Sequence, residues 1–159
     1  MSKLQEMQRI IRLYKDETGE KEVDMHDVAS FAHSKGWPLP KPTSPIDRLA
    51  KEFATAARDE IRHDKKTGKA YRANHAYFVQ RGDQQLTLWI DIDEAPRGPM
   101  QKSLVMRREQ MVGDGLQLTL DADHWNSIHP TEEPIVLPMD FTDDVEWRKN
   151  APDEEKRAG

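Results

Sequence analysis

Apolar positions recur along the chain with two different periods, and the changes between them mark out its elements. Leu4, Met7, Ile10, Ile11 and Tyr14 fall three and four residues apart, the spacing that lines one face of a helix. Ser2 ahead of them is a capping residue, and Glu17-Thr18-Gly19 closes the segment. Glu22-Val23 reads as a short extended piece, after which Asp24 caps a second helix that turns Val28, Phe31 and Ala32 inward and stops at Gly36. The run Trp37-Pro38-Leu39-Pro40-Lys41-Pro42 cannot be helical, because each proline fixes φ and removes an amide donor. It is a stiff connector whose Trp and Leu are expected to pack on a core. Ser44-Pro45 opens a third helix, predicted to reach about His63, with Ile46, Leu49, Ala50, Phe53, Ala57 and Ile61 on one side.

Period two then takes over. Residues 72–80 and 85–93 are strand candidates, and in the second Leu86, Leu88, Ile90 and Ile92 alternate with Thr87, Trp89, Asp91 and Asp93. Arg81-Gly82-Asp83 between them supplies a hairpin turn. Ala95-Pro96-Arg97-Gly98-Pro99 interrupts the pattern, and helical period returns from about Pro99 to Asn126. Leu104, Met111, Leu118 and Trp125 recur every seven residues there, with Arg108, Gly115 and Ala122 on the neighbouring row. Glycine costs roughly 1 kcal/mol against alanine inside a helix, so at Gly113 and Gly115 either the helix breaks or another backbone comes close. Pro130, Pro134 and Pro138 impose an extended arm, and Thr142 is a candidate cap for a short helix to Trp147. The fold class expected is α+β, mostly helical. Its division is residues 1–94, a helical region 99–150 with an extended acidic arm, and a frayed tail over 151–159.

Composition narrows the chemistry. With no cysteine, disulfides, thiolate nucleophiles and Cys-ligated metal centres are excluded. No apolar run approaches the roughly 18 residues of a membrane span, and MSKLQEMQRI lacks the apolar block of a secretory signal, so a soluble cytoplasmic protein with no membrane partner is expected. An apolar fraction of 36% with 33% charged residues points to a small core. Residues 1–80 hold 15 Lys and Arg against 12 Asp and Glu, a net of +3, whereas residues 81–159 hold 9 against 17, a net of −8. A net-negative chain can still bind phosphate through a local patch.

That patch is predicted on the third helix. Arg48, Lys51, Thr55, Arg58 and Arg62 succeed one another at three- and four-residue spacing, opposite the apolar side, and Lys65, Lys66, Lys69 and Arg72 come directly after. Arginine and lysine bind phosphate by charge, and arginine can also read guanine edges. The order helix, extended piece, helix, helix, hairpin over residues 3–93 resembles the layout of winged helix-turn-helix proteins. That resemblance implies a winged-helix-like N-terminal domain, with the third helix in the major groove of double-stranded DNA and the hairpin on the phosphate backbone. The connector from Lys35 to Thr43 is longer than the usual turn of such domains, and an acidic protein partner for the stripe is the alternative. The runs Arg107-Arg108-Glu109-Gln110-Met111-Val112-Gly113-Asp114 and Asp140-Phe141-Thr142-Asp143-Asp144-Val145-Glu146 are similar to uncharacterised proteins of bacteria and their prophages, which implies such an origin and brings no activity.

Other candidate chemistry is thin. Asp121, Asp123, His124 and His129 resemble metal ligands but read more simply as an acidic helix end, so no metal and no cofactor is expected. Thr67-Gly68-Lys69 lacks the first glycine and the final hydroxyl of a phosphate loop, and Ser127 lies in no nucleophile context. No catalytic residue is assigned. The seam Leu104, Met111, Leu118 and Trp125 is expected to support a homodimer, with Gly115 and Ala122 admitting a second helix.

Overall fold

The computed structural model describes residues 1–152, so residues 153–159 of the expected tail lie outside the described residues. The described chain is α+β and mostly helical, in the order α1 (Lys3–Thr18), α2 (Met25–Ser34), α3 (Pro45–Asp59), β1 (Ile61–His63), β2 (Ala70–Arg72), β3 (Asn74–Arg81), β4 (Gln84–Asp91), α4 (Arg97–Ile128) and α5 (Thr142–Asn150). It divides into two compact units, Met1–Arg48 and Leu49–Gly159. Among the described residues no helix is long and apolar enough to cross a membrane.

In the first unit, both helices begin where their capping residues stand. Ser2 and Gln5 satisfy each other's backbone amides in a reciprocal cap, and Asp24 accepts from the His26 amide. Gly19 ends α1 at φ 72, a left-handed conformation that costs glycine nothing. The extended piece expected at Glu22-Val23 forms no strand. The core joins α1 to α2: Tyr14 and Val28 are buried, and the Tyr14 ring meets Phe31 edge-on with centroids 5.4 Å apart. Burial, with Glu20 and Asp27 close by, raises the Tyr14 pKa. The proline-rich connector folds back onto α2, where the Trp37 amide donates to the Ala32 carbonyl and the His33 ring nitrogen Nδ1 lies 3.0 Å from the Trp37 carbonyl.

The second unit holds most of α3, two antiparallel hairpins, the long helix α4 and the short α5. β3 and β4 pair from Asn74–Asp91 to Arg81–Gln84, leaving Gly82 and Asp83 as a two-residue turn with Gly82 at φ 60. The hairpin expected from the alternation is therefore present, shifted by one or two residues. A second hairpin, not expected from the sequence, forms around Lys65, Lys66 and Lys69: β1, taken from residues predicted helical, pairs with β2 from Ile61–Arg72 to His63–Ala70. Ala73, fully buried, ties the two together: its amide donates to the Glu60 carbonyl and its carbonyl accepts from Ile92. α4 docks on β3 through Ser103, whose buried hydroxyl donates to the Ala76 carbonyl at 2.6 Å.

α4 runs unbroken through Gly113 and Gly115. The close approach expected there is real, but a side chain makes it: a Cβ on Gly115 would sit 2.8 Å from Met139 Cε of the arm. Asn126 fixes the arm further along, donating to the Ile135 carbonyl and accepting from its amide, both at 2.9 Å. The row expected to admit a second helix at Gly115 is thus covered by the chain's own arm. α5 is capped differently from expectation as well. Asp140, not Thr142, supplies the side-chain oxygen, accepting from the Thr142 amide, which lowers the Asp140 pKa.

Candidate nucleic-acid interface

α3 ends at Asp59, four residues earlier than its periodicity predicts, because tertiary partners claim the residues on either side of that end. The Asn74 side-chain Nδ2 donates to the Ala57 carbonyl at 3.0 Å, satisfying one of the acceptors a helix leaves open at its C-terminus. The Glu60 carbonyl is taken by Ala73, and Ile61–His63 then pair as a strand. Arg48, Lys51, Thr55 and Arg58 therefore share α3 as expected, all exposed, whereas Arg62 does not. Thr55 turns its hydroxyl back to the Lys51 carbonyl at 3.0 Å. Arg58 places its guanidinium 5.7 Å from the centre of the Trp89 ring, a cation–π contact that holds the side chain against β4.

Arg62 is the clearest correction to the predicted stripe. Its two terminal nitrogens grip Asp91 at 2.8 and 2.7 Å, and the same nitrogens reach Asp93 at 2.8 Å and Glu60 at 3.1 Å. Planar guanidinium donors match carboxylate geometry, so this pairing is far more specific than a lysine could make. The bond to Asp91, then that to Asp93, raises the Arg62 pKa, and the bond from Arg62 is the leading cause that lowers the Asp91 pKa. Tyr71 joins by donating to Asp93 at 2.9 Å, which raises the Tyr71 pKa. An arginine held by three carboxylates is a clamp between hairpins and is not available to phosphate. Asp91 and Asp93, two apart in sequence on one side of the strand, marked an acidic site without naming the cation that fills it.

Lys69 is also withdrawn. Its ammonium donates to the Lys149 carbonyl at 2.9 Å and to Asn150 Oδ1 at 3.1 Å, at the C-terminal end of α5. Lys65 and Lys66 stand at the exposed tip of the β1–β2 hairpin on a well-defined turn. Asp64 Oδ1 accepts from the amides of Lys66 and Thr67 at 2.8 and 3.0 Å, and Gly68 takes φ 72 to close the loop. Those backbone donors lower the Asp64 pKa, so its charge is committed to the turn. Arg72 is exposed at the end of β2.

Of the predicted cations, Arg48, Lys51 and Arg58 on α3, Lys65 and Lys66 at the β1–β2 tip and Arg72 at the end of β2 stay exposed. None of these makes an ion pair among the described residues. Among the described residues no group of three or more His, Cys, Asp or Glu could hold a metal ion. Where the ligand-like cluster stood in sequence, His129 stacks on Trp125 at 4.0 Å between ring centres. Leu104, Met111 and Leu118 of the predicted seam are exposed, and Trp125 is half-buried. Searches against protein-family models, curated proteins and solved structures find no match to this chain.

Proposed function

We propose that the protein is a DNA-binding protein of regulatory or accessory kind, of bacterial or phage origin, that holds the phosphate backbone of double-stranded DNA between α3 and the β1–β2 hairpin. The observation that carries this reading is the hairpin tip, where an ordered turn holds Lys65 and Lys66 outward directly after a helix that exposes Lys51 and Arg58. A preformed cationic turn loses little entropy on meeting phosphate. The order of three helices followed by hairpins supports a winged-helix-like reading, in which β1–β2, next after α3 in the chain, would serve as the wing.

Anisotropy of a labelled random duplex, titrated at two salt concentrations, tests it. Lys51, Arg58, Lys65 and Lys66 changed together to Ala should weaken binding and flatten the salt dependence by about 3.6 in slope, at roughly 0.9 per lost phosphate contact. An unchanged slope would reduce the surface to solvated side chains. Arg62 is left intact because it holds the hairpins.

An acidic protein partner is the alternative, and one observation favours it. Ile46, Leu49 and Phe53, the apolar side of α3, are exposed, as on a helix that docks into a groove of another protein. That partner would remain bound in a pull-down after nuclease digestion, whereas a DNA-bridged association would be lost.

A further inference from the structure

We infer that α4 pairs antiparallel with α4 of a second copy of this chain, through a face other than the row that its own arm covers. Val105, Val112, Leu116 and Leu120 lie along one side of the helix, at spacings of seven, four and four residues. That side is about a quarter-turn round from the Gly115–Asn126 row under the arm, and further still from Ser103 on β3. All four residues are between 50% and 61% exposed. A helix of 32 residues, about 48 Å long, thus exposes four apolar side chains along one side, with Arg108 and Glu109 between the first two, and among the described residues nothing covers them.

The charges say which partner fits. From Arg97 to Met111 the helix carries Arg97, Lys102, Arg107 and Arg108 against Glu109, or 4 − 1 = +3; from Val112 to Ile128 it carries Asp114, Asp121 and Asp123 with no Lys or Arg, or 0 − 3 = −3. This polarity opposes the helix's own dipole, which favours acids at the N-terminus and bases at the C-terminus, and neither terminal turn of α4 holds the favoured charge. Self-stabilisation of the helix therefore does not account for it. An antiparallel second copy does, since it lays each basic half along an acidic half and opposes the two dipoles. With the twofold axis near Asp114, Val112 meets Leu116 of the second copy, and Arg108, level with its Leu120, extends about one helical turn to its Asp123. The exposed Arg108 gives up only a neighbouring contact, 3.4 Å to Glu109. Closed twofold symmetry makes each contact twice.

Sedimentation velocity on the full chain at tens of micromolar should give twice the 18.4 kDa protomer mass, and a single 18.4 kDa species would overturn the pairing. Leu116→Asp should weaken the dimer about tenfold or more while leaving far-ultraviolet dichroism unchanged. Loss of helix signal in that variant would place Leu116 in the protomer's own core and overturn the proposal too. Charge reversal gives the independent test. Arg108→Asp and Asp123→Arg should each be monomeric alone, because each sets like charges together twice, yet the two mixed should form a one-to-one dimer in which both pairs are restored. Single variants that remain dimeric, or a mixture that stays monomeric, would refute antiparallel α4 pairing.

Discussion

Two glycines two residues apart in α4 should respond differently to the same substitution. Alanine at Gly113 places its Cβ in open space, with nothing within 4 Å. The only change is the helix propensity, so Gly113→Ala should stabilise the second unit by about 1 kcal/mol. At a urea dependence of roughly 2 kcal/mol per molar, the midpoint rises by about 0.5 M. Alanine at Gly115 gains the same propensity but meets Met139 Cε at 2.8 Å. That carbon has to retreat by about 0.6 Å to an ordinary van der Waals contact, and methionine does so by turning its flexible side chain off a rotamer minimum, at about 0.5–1.5 kcal/mol. The two terms nearly cancel, and Gly115→Ala should leave the midpoint close to wild type. Comparing Gly115→Ala with wild type in a Met139→Ala background should recover most of the missing stabilisation. Urea titrations followed by tryptophan fluorescence and by dichroism at the helix band read these differences. Equal gains at the two positions would refute the seating of Met139 on Gly115, and no gain at Gly113 would refute a continuous helix.

The Ser103 bond to Ala76 should be visible in the same assay. Ser103→Ala removes one buried hydrogen bond and should cost about 1 kcal/mol, and an unchanged midpoint would mean that α4 is held to β3 by packing alone. The Arg62 clamp predicts a dependence on pH. Asp91 has a folded pKa below its unfolded value, so its contribution is fully present above the ordinary carboxylate pKa of about 4 and is lost as pH falls through the lower folded value. Acid unfolding monitored by dichroism should therefore show a weaker dependence below about pH 4 in Arg62→Gln, in which the guanidinium is gone, than in wild type. Parallel acid limbs in the two proteins would show that the clamp is not what acid breaks.

Legibility in the sequence tracks the range of the interactions concerned. Local signals worked. Ser2, Asp24 and Ser44-Pro45 placed the starts of three helices, because a cap acts within one turn of itself. The alternation of Leu86, Leu88 and Ile90 identified β4, and the glycine of Arg81-Gly82-Asp83 its turn, for the same reason. The long α4 was readable from its period, although the two glycines left its continuity open until Met139 was seen beside one of them.

Partners distant in sequence were not readable. Arg62 fits the α3 wheel as well as Arg58 does, and only Asp91 and Asp93, 29 and 31 residues away, take it out of the helix and out of the cationic surface. Lys69 is likewise claimed across 80 residues by the end of α5. Helix propensity near a terminus is worth a few tenths of a kcal/mol per residue, which strand pairing and a two-toothed arginine–carboxylate bond readily outweigh. By itself, then, the sequence determined the mostly helical α+β class, the caps and the main hairpin, all products of spacing and backbone chemistry. Tertiary structure alone decided that Arg62 and Lys69 are claimed by distant partners and that the arm seats Met139 on Gly115, because a side chain's availability depends on whatever the rest of the chain brings within reach of it.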